Sequence, residues 1–252
     1  MKSMFDLNGK TAIVTGANTG LGQGIAVALS EAGAAVSLVG RSPPDETVAH
    51  IEAAGGKCAV IQADLSDLKA VDNIVADTQA QLGRADILVN NAGIIQRNDA
   101  IDFTVDEWDS VLSVNLRTVF FLSQAFARSC LAADRGGKII NIASMLSYQG
   151  GIRVPSYTAS KSALMGLTRA LANEWAGKGI NVNAIAPGYF ATNNTAALQA
   201  DPKRSAEILG RIPAGRWGQP SEIGGAAVFL ASDAADYIHG ATMPVDGGWL
   251  AR

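Results

Sequence analysis

Tyr157 and Lys161 stand four residues apart in a segment of helical character, 157–176, so their side chains project from one face. A free phenol keeps its proton to about pH 10, and a close ammonium favours phenolate by about one to three pH units. A tyrosine tuned in this way can take a hydroxyl proton as hydride leaves, or give one to a carbonyl oxygen being reduced. Ser144, thirteen residues before Tyr157 and just past a short apolar run, can hydrogen-bond the same oxygen. A Tyr-x-x-x-Lys pair by itself also arises wherever an aromatic and a basic residue meet on an exposed helix. Its weight comes from the company it keeps.

That company is a phosphate-binding turn. Thr15-Gly16-Ala17-Asn18-Thr19-Gly20-Leu21-Gly22 follows the first strand and opens a helix running to about residue 32. Such glycines allow a tight turn, close approach of backbone to pyrophosphate and close helix packing, and the helix start offers N–H groups to an anion. The spacing is Gly-x-x-x-Gly-x-Gly, not the commoner Gly-x-Gly-x-x-Gly. An acid at the end of the second strand would select NAD, but Val39-Gly40-Arg41-Ser42 stands there. Arg41, helped by the Ser42 hydroxyl, can bind a ribose 2′-phosphate, so NADP is preferred and NAD remains possible. The alternatives are a solvated Arg41, with Asp45 or Glu46 reaching the ribose. Asp64 and Leu65, after the third strand, and Asn90-Asn91-Ala92-Gly93, after the fourth, can meet adenine and its ribose. Asp64 can instead cap the helix beginning near Asp67, and Asn90 can simply hold its turn.

These groups must be positioned by strand ends. Apolar runs at 11–15, 35–39, 58–62, 86–90, 138–142 and 181–186 alternate with helical patterns, and 242–245 adds a seventh after a helix at 220–231. Right-handed strand–helix–strand crossovers make the strands parallel, so the expectation is an α/β, doubly wound, seven-stranded parallel sheet of Rossmann type with helices on both faces. No repeat or low-complexity linker divides the chain, and one domain over 1–252 is expected. From 188 to 216 no strand is predicted, and Asn193-Asn194, Pro202, Gly210, Pro213 and Gly215 punctuate weak helical stretches. Its place beyond a strand's carboxyl end favours a substrate lid over a plain surface excursion.

Bulk properties narrow the partners. The 252 residues are 48% hydrophobic and 17% charged, with formal net charge -3 and no cluster of Lys and Arg to grip nucleic acid or an anionic membrane. Cys58, Cys130, His50 and His239 are isolated from one another, so no metal site is expected, and reduced thiols fit a cytoplasmic chain. No run approaches the roughly 20 apolar residues of a membrane span. A small molecule, or another copy of the chain, is the expected partner.

Together Gly16-x-x-x-Gly20-x-Gly22, Asn90-Asn91-Ala92-Gly93, Asn115, Ser144, Tyr157-x-x-x-Lys161 and Pro187-Gly188 resemble the short-chain dehydrogenases/reductases over essentially the whole chain. The resemblance implies that Asn115 helps hold a water in a proton relay through Lys161, and that Lys161 also bonds the nicotinamide ribose. It further implies that Pro187, Gly188 and Thr192 bind the nicotinamide carboxamide and that the protein is a homotetramer. For Asn115 the alternative is a bridge within its own helix.

Within that family the stretches 142–157, 187–195, 211–218 and 245–252 look like the enzymes acting on 2-dehydro-3-deoxy-D-gluconate or 2-deoxy-D-gluconate. The implied substrate is a deoxy-hexonate sugar acid, whose carboxylate needs a cation. Arg97, Arg153 and the neighbouring Gln149 are the candidates, each arginine having an equal claim to be only a surface or interface residue. Rival readings are a reductase of gluconate, 5-ketogluconate or a 3-oxoacyl thioester, and a non-catalytic NADP sensor.

Overall fold

The computed structural model describes residues 3–252. In chain order the strands are β1 (Thr11–Thr15), β2 (Ala35–Gly40), β3 (Cys58–Gln62), β4 (Ile87–Asn90), β5 (Gly137–Ile142), β6 (Ile180–Pro187) and β7 (Thr242–Val245). Around them lie helices α1 (Gly20–Glu31), α2 (Asp45–Ala53), α3 (Leu68–Leu82), α4 (Val105–Leu112), α5 (Thr118–Ala132), α6 (Pro155–Trp175), α7 (Ala196–Ala200), α8 (Pro202–Arg211) and α9 (Gly224–Ala231). The sheet has the order β3-β2-β1-β4-β5-β6-β7, with every pairing parallel. The doubly wound, seven-stranded arrangement is therefore as expected from the alternation of short apolar runs with helical patterns.

The central strands are mostly apolar because helices cover both faces. Val14, Ile87 and Ile140 pack with Ile25 and Leu29 of α1 and Leu230 of α9 on one face. Ile13, Leu88 and Ile139 pack with Ile74 of α3, Phe126 of α5 and Trp175 of α6 on the other. Each such fully buried side chain contributes about 1.5–3 kcal/mol relative to exposure.

β2, β5 and β6 each run one residue further than the sequence reading at one or both ends, and two other boundaries differ for a structural reason. β4 starts at Ile87 because the buried Asp86 side chain turns aside, accepting from Thr11 N–H at 2.9 Å and pairing with Arg84 and Arg135. The helix expected over 220–231 divides into a 3-10 turn, Pro220–Ile223, and α9. The order reverses between β1 and β4, where chains leave the sheet in opposite directions and open a crevice at the strands' carboxyl ends.

Segment 188–216 holds no strand of the sheet. Its α7 and α8 are fastened by a small apolar cluster of their own, in which Ile208 and Ile212 meet Met145 and Trp249.

Candidate active site

The crevice is a cleft of about 1770 Å³, lined from the end of β2 to α8. At its inner wall the turn after β1 is held open for a ligand by its own geometry. Gly16 and Gly20 have φ of +65° and +58°, the left-handed region that side chains resist. A Cβ on Gly22 would fall 2.1 Å from the Gly16 carbonyl oxygen. Asn91 clamps the same turn, its Nδ2 donating to the carbonyls of Thr15 at 2.8 Å and Gly16 at 3.2 Å. The backbone N–H groups of Asn91 and Ala92 both donate to Thr15 Oγ1. Asn90 instead turns inward to Asn141 and Ser123, holding the sheet together. At the start of α1 the Thr19 side chain makes no capping bond, so the first-turn N–H groups face the cleft without a side-chain acceptor.

Gly40, Arg41 and Ser42 line the next stretch, with Asp64 and Leu65 beside them. Arg41 is exposed and reaches no carboxylate within ion-pair distance among the described residues. Asp64 does not cap α3; Asp67 does, accepting from Lys69 N–H. Asp64 accepts from the Ser66 N–H at 2.9 Å and hydroxyl at 2.8 Å, and these bonds, with the Arg41 charge, hold its carboxyl below the usual range. Asp45 and Glu46 lie in the first turn of α2 and do not line the cleft.

Ser144, Tyr157 and Lys161 meet where β5 and α6 come together, and all three line the cleft. Burial pushes the Tyr157 phenol up, while a hydrogen bond with Ser144 and the charge of Arg97 act the other way. The lowering expected from Lys161 is not found: the phenol is raised overall, and Lys161 is not among the groups that act on it. The buried Lys161 ammonium donates to the Ile142 carbonyl oxygen and lies 5.7 Å from the Tyr157 ring centroid, and burial brings it down to about 8. Asn115 sits in a π turn, Ser113–Arg117, between α4 and α5. It does not bridge within its helix: its Oδ1 accepts from Ile94 N–H at 2.8 Å and its Nδ2 donates to the Ile94 carbonyl at 2.9 Å. Its Nδ2 also reaches Ser160 Oγ at 3.3 Å, tying the β4 loop to α6.

Pro187, Gly188 and Thr192 border the same space, and Thr192 packs on the turn, its Cγ2 lying 3.4 Å from where a Gly20 Cβ would be. Of the three substrate candidates, Arg97 and Gln149 line the cleft and Arg153 does not. Arg153 takes a positive φ of 64° that turns it to the surface, where it pairs with Asp99 at 2.9 Å. Arg97 donates to the Asn194 carbonyl at 3.2 Å. Sequence reasoning passed over Tyr189, Arg204, Arg211 and Trp249, which complete the outer wall. Tyr189, Arg211 and Trp249 fall in stretches that carry the family resemblance, but their convergence from three separate segments, the β6 end, α8 and the C-terminal turn, is not legible in any one of them.

No group of three or more His, Cys, Asp or Glu among the described residues is placed to hold a metal. The glycine cradle, the unpartnered helix start, the Asp64 carboxylate and the Arg41 cation fit a dinucleotide with a phosphorylated ribose. The arrangement can bind such a molecule along the strand ends and present its far end to the Ser144–Tyr157 pair.

Comparison with known proteins agrees. The family model described as "Enoyl-(Acyl carrier protein) reductase" matches residues 16–250. The 2-dehydro-3-deoxy-D-gluconate 5-dehydrogenase of Dickeya dadantii is 59% identical over 248 residues, covering 98% of each chain. A solved Agrobacterium tumefaciens structure with bound NADP is 58% identical, with a TM-score of 0.95 and 100% of both chains covered. The gluconate 5-dehydrogenase of Burkholderia cenocepacia, in complex with NADP and tartrate, is 39% identical, with a TM-score of 0.93 over 99% of this chain and 98% of that one. On the fold, the glycine turn and this full-length similarity, the chain belongs to the short-chain dehydrogenase/reductase family of oxidoreductases.

Proposed function

We propose that the chain is an NADP-preferring dehydrogenase that interconverts a secondary alcohol and a ketone on a deoxy-hexonate of the 2-dehydro-3-deoxy-D-gluconate or 2-deoxy-D-gluconate type. One observation carries this reading: a single cleft is lined at once by the glycine turn, by Ser144, Tyr157 and Lys161, and by an outer wall rich in arginine. The resemblance to the Dickeya enzyme, at 59% identity over nearly full length, selects the substrate class.

Bound NADP supplies the hydride acceptor or donor. Tyr157 takes the proton of the reacting hydroxyl in oxidation and returns one to the carbonyl oxygen in reduction. Ser144, whose Oγ accepts from the Leu146 N–H at 3.1 Å, keeps its own proton to donate to that oxygen. Asn115 helps hold a water in a proton relay that reaches Tyr157 through Lys161, and Lys161 also bonds the nicotinamide ribose. Pro187, Gly188 and Thr192 hold the nicotinamide amide. Segment 188–216 acts as a lid over the substrate, on one domain spanning 1–252. Homotetrameric assembly is carried over from the resemblance, and a cytoplasmic location from the isolated cysteines.

The test follows nicotinamide absorbance with NADP(H) and NAD(H) against 2-dehydro-3-deoxy-D-gluconate, 2-deoxy-D-gluconate, gluconate, 5-ketogluconate and acetoacetyl thioester. The deoxy-hexonates should give the highest kcat/KM. Preference for the thioester, the chemistry closest to the description of the family model, would overturn the sugar-acid assignment.

A further inference from the structure

We propose that Arg211 is the cation that receives the substrate's carboxylate and so sets the preference for acids over neutral polyols; this rests on the sugar-acid reading above. Arg211 is the last residue of α8 and lines the cleft. Its guanidinium stacks on Trp249, with Cζ 4.1 Å from the ring centroid. Its Nη2 donates to Gln149 Oε1 at 3.0 Å, and Trp249 Nε1 donates to the same oxygen at 3.2 Å. Two converging donors settle which end of the Gln149 amide is oxygen, and they leave its NH2 as the group able to donate elsewhere. Trp249 is itself buried and packed edge to face on Tyr189, with centroids 4.9 Å apart, so the stacking platform is rigid. Arg252 holds the Gly210 carbonyl at 2.6 Å and fixes the backbone immediately before Arg211.

What sets Arg211 apart from Arg153, Arg204 and Arg216 is that its partners are neutral. Arg204 is neutralised by Glu207 at 2.7 Å, Arg216 by Glu222, and Arg153 by Asp99. Arg97 lines the cleft with its guanidinium tied to the Asn194 carbonyl at 3.2 Å, and its charge is felt by the Tyr157 phenol, so it belongs to the reacting end of the site. Arg41 stands at the β2 end, and Arg117 adjoins Thr118, whose hydroxyl bonds the Leu65 carbonyl, so both belong to the cofactor half. Arg211 keeps a full charge and one edge of its planar fork for a bidentate anion, held in place by an indole and an amide that cost it no charge. No local motif nominates it, because Gln149, Arg211 and Trp249 come from three distant segments.

The experiment compares 2-deoxy-D-gluconate with 2-deoxy-D-glucitol, which carries CH2OH in place of the carboxylate, on the wild type, Arg211→Gln and Arg211→Lys. Calorimetric titration of tartrate into the NADP-loaded proteins runs alongside. In Arg211→Gln the KM for the acid should rise about 10- to 100-fold, kcat should stay within about threefold, and the polyol's KM should hardly move. Arg211→Lys should recover part of the loss, since it restores the charge without the fork. Tartrate binding should weaken in step with the acid's KM. An unchanged KM for the acid, or an equal rise for acid and polyol, overturns the assignment. If the wild type oxidises no deoxy-hexonate yet binds tartrate through Arg211, the carboxylate site stands and the substrate reading falls. If it neither oxidises nor binds any acid, both fall.

Discussion

The ammonium of Lys161 donates to the carbonyl oxygen of Ile142, the last residue of β5, two residues before Ser144. The helix that carries Tyr157 is thereby pinned to the strand that carries Ser144. Lys161 is 4% exposed, and this position is what brings its ammonium down to about 8.

Burial of that charge should be visible in stability. The folded state holds the Lys161 proton less tightly than the unfolded chain does, so between about pH 8 and 10.5 the unfolded chain binds more protons and stability rises with pH. The penalty is therefore fully present below about pH 8 and relieved as pH climbs. Lys161→Met, which carries no charge to bury, should gain on the wild type as pH falls from 10.5 to 7.5, by up to about 3 kcal/mol, while losing turnover. Denaturant unfolding of both proteins across that range is the check; a gap independent of pH would contradict it.

Tyr157 gives a pH dependence of opposite sense for the two directions. Its phenol is pushed up by burial, so the phenolate needed for alcohol oxidation grows with pH and the phenol needed for carbonyl reduction declines. Oxidation should quicken into the alkaline range while reduction falls there. Tyr157→Phe should lower kcat about 10²- to 10⁴-fold and leave NADPH affinity within about threefold. Stopped-flow binding beside steady-state rates separates the two effects.

The two glycines that bracket the cofactor half should respond unequally. A Cβ on Gly22 would collide with the Gly16 carbonyl at 2.1 Å, whereas a Cβ on Gly40 would meet nothing within 4 Å. Gly22→Ala should weaken NADPH binding at least about 100-fold, since the turn itself must move to admit the methyl. Gly40→Ala should fold like the wild type and, because its methyl meets no protein atom, should cost NADPH affinity far less than the Gly22 methyl does. Fluorescence titration of NADPH measures both.

Arg41 should govern the choice between cofactors. Arg41→Ala should raise the KM for NADPH about 10- to 100-fold and leave that for NADH nearly unchanged, because only NADPH has the 2′-phosphate for the guanidinium to grip. An unchanged ratio of the two Michaelis constants would remove Arg41 from this role and point back to Asp64.

The sequence alone carried the features that depend on local periodicity and close spacing. Alternating apolar runs imply parallel strands covered on both faces, because only a strand buried on both sides reads as continuously hydrophobic. The glycine turn and the Tyr157–Lys161 pair are legible for the same reason: residues within one turn of chain have a geometry that the backbone imposes wherever they occur. What lay beyond reach were relations between segments distant in sequence. That Asn115 grips both backbone groups of Ile94, that Asp67 and not Asp64 caps α3, and that Arg153 turns outward to Asp99 each depend on which loops the packed helices bring together. The same holds for electrostatics. Spacing puts an ammonium near a phenol, but only the enclosing structure decides that burial, not the neighbouring charge, dominates Lys161, and that Arg211 keeps its charge unpaired beside Trp249. Desolvation is a property of everything packed around a group, and no stretch of chain contains that information by itself.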